Sequence, residues 1–220
     1  MKNIILQHWT GELGPLELAS KANMEKYAKQ CGAEYELILG NQFHPKLHGC
    51  YQKLIMLDKR FDKYQDTLMV DLDMFVVKDV KDNVFDVPGV GLNSKVQKDI
   101  FKAMCKGKKY RSVTDRNGPF WGGAFWKFTN DQRKQLRKFI VDKELKIFNK
   151  NFNDEGAIHR LATLAGLKQI DVPEEWCWGN CFPGYEKANM LPIRHKFKDV
   201  GPKVPKLEVF EALKKEGIFE

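Results

Sequence analysis

The sequence predicts an α/β protein built on a largely parallel sheet wrapped by helices. Three observations carry this. Apolar runs and amphipathic stretches follow one another in the order strand, helix, strand, helix, strand up to residue 73, the pattern of parallel βαβ units. The run Thr67-Leu68-Met69-Val70 is β-branched or apolar without alternation, which suits an interior strand covered on both faces. That run then meets two carboxylates one residue apart, Asp71 and Asp73.

Residues Asn3 to His8 form the first strand, and Trp9 to Pro15 a loop by their Gly and Pro content. A helix follows with Ser20, Met24, Tyr27, Ala28 and Cys31 on one face, and Gly32 stands where helices end. Tyr35 to Leu39 is a second strand and Gly40 to Gly49 a loop. Leu54, Leu57, Phe61 and Tyr64 mark a second helix leading into the strand that ends at Asp71. Beyond it, Val90 to Asn93 reads as a strand, and Val96, Ile100, Phe101 and Met104 as a helix capped by Ser94. Lys106 to Arg111 is a basic exposed loop, and Gly122 to Phe128 returns as a strand. Two helices carry Leu136, Phe139 and Ile140, then Ile158, Leu161 and Ala165, the second starting near Asn153. Gln169 to Val172 is a short strand, Trp176 to Tyr185 an aromatic loop, Met190 to Phe197 a last strand-like piece, and Leu207 to Lys215 a tail helix. With no repeat, low-complexity tract or interior linker, residues 1–220 read as one domain.

Hydrophobic content of 43% with 30% charged residues excludes a disordered chain. No apolar run reaches the length of a membrane span, and Ile4-Ile5-Leu6 is too short for a signal peptide; a soluble, cytoplasmic protein is expected. Five cysteines in no regular framework fit reduced thiols, and the Cys177/Cys181 spacing is not that of a zinc pair. The net charge of +8 suggests an anionic partner, although lysines on helix surfaces account for much of it.

Carboxylates rarely interrupt a buried strand unless something pairs with them. Two apart in an extended chain, Asp71 and Asp73 point the same way and could share a hard divalent cation. A solvated turn also produces Asp-x-Asp, but the apolar residues on both sides argue against it. Parallel α/β sheets bind ligands at the carboxyl ends of their strands. There His8, Trp9 and Thr10, the Asp71/Asp73 pair, and Asn153-Asp154-Glu155 should converge. Trp9 either stacks on a nucleobase or packs in its loop. Gly-x-Gly-x-x-Gly and Gly-Lys-Ser/Thr loops are missing, which disfavours a dinucleotide-dependent dehydrogenase and a P-loop enzyme.

Asp71-Leu72-Asp73 after a hydrophobic strand, followed by Met74-Phe75-Val76-Val77, resembles the Asp-x-Asp motif of nucleotide-sugar glycosyltransferases of the GT-A fold. The nearest flavours are the retaining, glycogenin-like group and the small glycosyltransferase domains of large algal viruses. Lys53-Leu54, the Gly122-Gly123-Ala124-Phe125-Trp126 stretch, Asn153-Asp154-Glu155 and His195 fall in the family's order across roughly residues 3–203. After His195 the Gly and Lys spacing is stretched, to Gly201 and Lys203. The resemblance implies a single α/β/α domain with a mostly parallel, mixed sheet related to the Rossmann fold. It also allows that the chain forms the N-terminal part of a longer protein with other glycosyltransferase domains. The implied activity is metal-dependent transfer from a UDP-sugar to a hydroxyl of a glycan or glycoprotein, with retention, as in viral glycan synthesis.

On this resemblance Asp71, Asp73 and His195 hold Mn²⁺ or Mg²⁺, the imidazole favouring Mn²⁺. His8, Trp9, Thr10, Lys53, Leu72, Gly122, Gly123 and Lys203 belong to the donor site, with Arg194 a further candidate against the diphosphate charge. Asp154, ahead of Glu155, contacts donor-sugar hydroxyls, and Trp176, Trp178 and Tyr185 form an acceptor platform. Plainer readings stand beside these: His195 as an exposed residue of a basic strand, Asp154 as a helix N-terminal charge, and the tryptophans as packing. His44, His48 and His159 read as structural or solvated, as does His8 by residue type alone.

Two other functions compete. A haloacid-dehalogenase-like phosphatase also uses Asp-x-Asp after a buried strand, but near the N-terminus and with Thr or Val where Phe75 stands. A basic nucleic-acid-binding protein would use Lys106–Arg111, Arg133–Lys138 and Arg194–Lys198 on phosphates, yet it leaves two carboxylates at a strand end unexplained. A sugar-nucleotide pyrophosphorylase lacks its Gly-rich N-terminal signature here. No nucleic acid is expected as partner.

Overall fold

The structure is a computed structural model describing residues 1–92, 118–140, 153–176, 187–195 and 203–219. Four strands form the main sheet: β1 (Ile4–Trp9), β2 (Glu34–Leu39), β3 (Asp66–Asp71) and β5 (Phe125–Thr129), in the order β2-β1-β3-β5. β1 lies parallel to both β2 and β3, and β5 runs antiparallel to β3. The expected mixed, mostly parallel α/β sheet is what the chain forms. A separate antiparallel pair joins β4 (Met74–Val76) to β6 (Met190–Pro192).

Both faces of the main sheet are covered, so alternate residues of each strand enter different cores. Ile4, Leu6, Met69, Trp126 and Phe128 pack with Leu54, Leu57 and the helix α3 (Asn153–Leu164) on one side. Ile5, Leu68, Val70 and Phe125 pack with Met24, Tyr27 and Ala28 of α1 (Pro15–Gln30) on the other. This two-sided burial is why Thr67 to Val70 of β3 read as an unbroken apolar run.

α1 starts where Pro15 supplies a preset φ and Glu17 reaches back to the Gly14 amide at 3.1 Å. It ends before Gly32, at φ +65°. Polar side chains of β1 and α1 hold the segment that carries the two carboxylates. Gln7 Nε2 donates to Ser20 Oγ at 3.0 Å and to the Asp71 carbonyl at 3.1 Å, and Ser20 Oγ donates to the Met74 carbonyl at 2.7 Å. Asn23 completes the ladder edge of β4 by bonding both Val76 N–H and C=O, at 2.7 and 3.0 Å.

Three readings change. The segment expected as a helix through Leu54 and Phe61 is a pair of 3₁₀ turns, Gly49–Leu57 and Lys59–Phe61. Tyr51, Leu54 and Leu57 recur every third residue, the spacing at which 3₁₀ side chains align, and Tyr51 to Leu57 are all buried. The expected strands at 90–93 and 169–172 meet only in a single parallel bridge, Gly91 to Asp171, flanked by Val90 N to Ile170 O and Val172 N to Gly91 O. The helix through Leu136 is α2 (Asn130–Arg137), capped by Thr129 and Gln132, and it stops before Phe139 and Ile140. The tail helix is α4 (Lys206–Lys215), seated on β4 and β6 through Val209, Phe210 and Leu213, with Phe210 stacked on Phe75 at 4.6 Å. The helix expected after Ser94, the basic loop 106–111, Cys177, Cys181, Trp178 and Tyr185 lie outside the described residues. Among the described residues, no helix is long and apolar enough to cross a membrane.

Candidate active site

β1 and β3 end side by side, because they pair in parallel register with His8 opposite Asp71. A cleft of about 580 Å³ opens there. His8, Trp9 and Thr10 from the end of β1 line it, with Asp71, Leu72 and Asp73 from the β3–β4 turn, Asp154 from α3, and His195 from the segment after β6. Asp71 closes β3 and Asp73 sits in the turn itself, so the pair does not lie in one extended strand, yet both side chains face the same space.

Lys53 is the centre of the charge network. Its side chain is 9% exposed, and Nζ stands 2.6 Å from Asp71 Oδ1, 2.5 Å from Asp154 Oδ2 and 2.7 Å from the Gly123 carbonyl. It also lies 5.0 Å from the centre of the Trp126 ring. Burial alone would lower this ammonium's pKa, but Asp154 and Asp71 together raise it, so Lys53 remains charged. Burial pushes the Asp154 carboxyl up, with Lys53 opposing. Glu155 points elsewhere: its Oε1 accepts from the Gly123 amide at 2.8 Å, and burial raises its pKa too. A Cβ at Gly123 would lie 3.0 Å from Asp154 Oδ2 and 3.2 Å from Glu155 Cγ, so the small residue there lets backbone and carboxylates meet.

Asp73 accepts a bond from Lys206 Nζ, at the first residue of α4. Burial and then the Asp71 charge raise the Asp73 pKa, and Lys206 opposes them. His8 is buried and donates from Nε2 to the Gly40 carbonyl at 2.8 Å; burial lowers its pKa. Trp9 is half-buried, and its indole N–H donates to the Glu12 carbonyl at 2.9 Å. His195 is exposed, with Nδ1 3.3 Å from the Val204 carbonyl.

Of the expected site residues, His8, Trp9, Thr10, Lys53, Asp71, Leu72, Asp73, Asp154 and His195 come together in this cleft. Gly123 does not line it, but its carbonyl accepts from Lys53, which does. Gly122 does not line it; its amide bonds the Leu92 carbonyl at 3.1 Å. Lys203 is exposed and also outside the lining, and Lys206 stands in the cleft instead, on the first turn of a helix whose apolar face fixes its position. Arg194 is exposed and does not line the cleft. Trp176 cannot serve as an acceptor platform: it is 1% exposed and packs 6.3 Å from Tyr27 in the core.

Sequence reasoning missed Glu17, Gly49 and Cys50 in the lining, and His48 lies there too. His48 Nδ1 is 3.2 Å from Cys50 Sγ. Lys206 had a signal: a cation at the first position of a helix opposes the dipole and calls for another reason to be there.

The lining carries four carboxylates, of Glu17, Asp71, Asp73 and Asp154, against the ammonium groups of Lys53 and Lys206. Its formal surplus of two negative charges is opposite in sign to the whole chain. Carboxylate and imidazole donors at one cleft have the right chemistry for a divalent cation. Among the described residues, however, no three His, Cys, Asp or Glu side chains stand together closely enough to hold one, and each Asp of the pair is engaged by a lysine.

The crystal structure of a glycosyltransferase involved in the glycosylation of the major capsid of PBCV-1 is similar in fold. It superposes with a TM-score of 0.54, covering 97% of this chain and 100% of that one at 10% identity. A protein from STIV aligns over 78% of this chain and 81% of its own, with 11% identity and a TM-score of 0.38. No protein-family model and no curated protein matches the chain. The shared architecture is that of a GT-A-like α/β domain.

Proposed function

We propose that the protein is a metal-dependent glycosyltransferase that moves a sugar from a UDP-sugar to a hydroxyl of a glycan or glycoprotein, with retention of configuration. The observation that carries this reading is the pairing of Asp71 and Asp73 on one nucleotide-sized cleft at the carboxyl ends of β1 and β3. The glycosyltransferase-like fold supports it.

In this reading Trp9 offers a face to the uracil, and Thr10 and His8 border the ribose. Asp71 and Asp73 would hold Mn²⁺ or Mg²⁺, with His195 as the third donor. When bound, the cation supplies Lewis-acid stabilisation of the charge that grows on the departing diphosphate. Lys53 fixes Asp71 and Asp154 relative to one another, and Asp154 would contact the donor-sugar hydroxyls. The cation requirement follows from charge. A lining with surplus negative charge repels a bare diphosphate, and two added positive charges cancel that surplus. The same surplus disfavours a nucleic-acid backbone in this cleft.

Calorimetry with UDP-, GDP- and dTDP-sugars, with and without Mn²⁺, tests the reading. A UDP-sugar should bind in the presence of Mn²⁺, and Asp73→Ala should abolish that binding while the protein stays folded. Wild-type-like turnover by Asp71→Ala or Asp73→Ala would rule out the metal role.

A further inference from the structure

We propose that Gln7 is a positioning residue for the acidic pair: its side-chain amide, oriented by the Tyr35 hydroxyl and extended through Ser20, fixes the β3–β4 turn from which Asp71 and Asp73 enter the cleft. The inference rests on the nucleotide-binding reading above. It goes beyond that reading by giving a role to three residues that do not line the cleft.

Packing alone would not place an amide at Gln7. Ile5, two residues earlier on the same face of β1, is apolar, as are Leu68, Val70 and Phe125 in the core that it joins. Gln7 is fully buried, and a buried amide costs free energy unless its polar atoms are paired. Here both of them are. Nε2 donates to the Ser20 hydroxyl at 3.0 Å and to the Asp71 carbonyl at 3.1 Å, and Oε1 accepts from the Tyr35 hydroxyl at 2.9 Å. Burial raises the Tyr35 pKa, so the phenol keeps the proton it donates. That bond sets the direction of the amide and turns its donors toward Asp71.

Ser20 Oγ in turn donates to the Met74 carbonyl at 2.7 Å. Gln7 thus reaches, directly and through one hydroxyl, the two carbonyls that bracket Leu72 and Asp73. Backbone bonds secure the rest of the turn: the Asp71 amide donates to the Ala124 carbonyl at 3.0 Å, and the Asp73 carbonyl accepts from the Ile193 amide at 2.8 Å. Lysines engage the two carboxylates, whereas this network holds the backbone that aims them. Its members come from β2, β1 and α1. A phenol on the edge strand, with β1 between it and β3, is therefore coupled to where Asp71 points.

Three variants test this: Gln7→Met, Tyr35→Phe, and Ile5→Val as a control on the same strand and face. Urea unfolding reads the stability of each. UDP affinity, measured by calorimetry in one fixed buffer, should fall about tenfold in Gln7→Met and about threefold in Tyr35→Phe. Ile5→Val should lose stability as a buried methylene is removed, yet bind UDP like wild type. Without ligand, hydrogen exchange at the Asp71 and Ile193 amides should quicken in Gln7→Met and Tyr35→Phe and not in Ile5→Val. If Gln7→Met and Tyr35→Phe lose no more UDP affinity than Ile5→Val, Gln7 serves stability alone; the positioning role is overturned and the nucleotide reading stands. If Gln7→Met does not fold, Tyr35→Phe decides by the same comparison. If wild type binds no UDP with or without Mn²⁺, the nucleotide reading fails and takes the donor-site role of Gln7 with it.

Discussion

Replacing Lys53 with methionine removes the charge on which the site is assembled. At an effective dielectric of about 20, two unit charges at the 2.5 and 2.6 Å separations seen here attract by about 6 kcal/mol each. Desolvating a side chain that is 9% exposed consumes much of that gain. The loss on deleting one partner is set by what stays behind: Asp71 and Asp154 facing each other with no cation between them. Breaking a buried pair in this way costs about 3–5 kcal/mol. For a chain of this size that lowers Tm by roughly 6–20 °C. The cost should shrink as pH falls toward 4. Burial already raises the Asp154 pKa, so the folded form takes up its proton first and acid favours folding through this group. Lys53→Met with Asp154→Asn should recover part of the loss, since the second change removes the stranded charge. Thermal and urea unfolding of the single and double variants measure this. A Tm change under about 2 °C for Lys53→Met, or strict additivity of the two substitutions, would refute the account of Lys53 as the charge that organises the cleft.

Gly123→Ala should lower donor affinity or turnover well beyond its effect on stability, because the new Cβ would press on Asp154 Oδ2 at 3.0 Å and on Glu155 Cγ at 3.2 Å; calorimetric titration beside thermal unfolding checks this. Trp176→Ala should cost about 3–5 kcal/mol in urea unfolding as a cavity opens beside Tyr27, with no change in acceptor preference. Lys127 gives a pH signature. It is buried and donates to the Val84 and Val87 carbonyls, and burial lowers its pKa to about 8. Against an unfolded value of about 10.4, the unfolded chain binds the extra proton between those limits. Stability should therefore rise with pH from about 8 toward 10, by as much as roughly 3 kcal/mol from this group. Lys127→Met should flatten that rise, as urea midpoints taken across the range would reveal.

What was legible in the sequence was whatever burial writes into a short stretch. β3 is covered on both faces, and the unbroken run from Thr67 to Val70 announced this. The carboxylates at the end of β3 stood out because their surroundings do not suit charge. Segments held by partners far along the chain were not legible. Gly91 and Asp171 pair through one bridge, so no run of residues records a strand at either place. The 3₁₀ turns from Gly49 to Leu57 are buried all round, and an apolar helix face has no meaning there. Trp176 shows the limit from the other side: an aromatic-rich segment left a sugar platform and packing both open, and this ring packs, filling the space between Tyr27 and β6.

The lysines show most clearly why a site is harder to read than a fold. Lys203 and Lys206 are the same residue type, three positions apart. What distinguishes them is α4, which begins at Lys206 and is seated by Val209, Phe210 and Leu213 on the strand that immediately follows Asp73. The apolar face of the helix thus decides which ammonium reaches the acidic pair. A spacing rule counted along the chain from His195 cannot see that decision, because it is made by packing between residues 75 and 210. The charge chemistry of the cleft is therefore an outcome of the core beneath it. Phe210→Ala should loosen Lys206 from Asp73 without altering any charged residue.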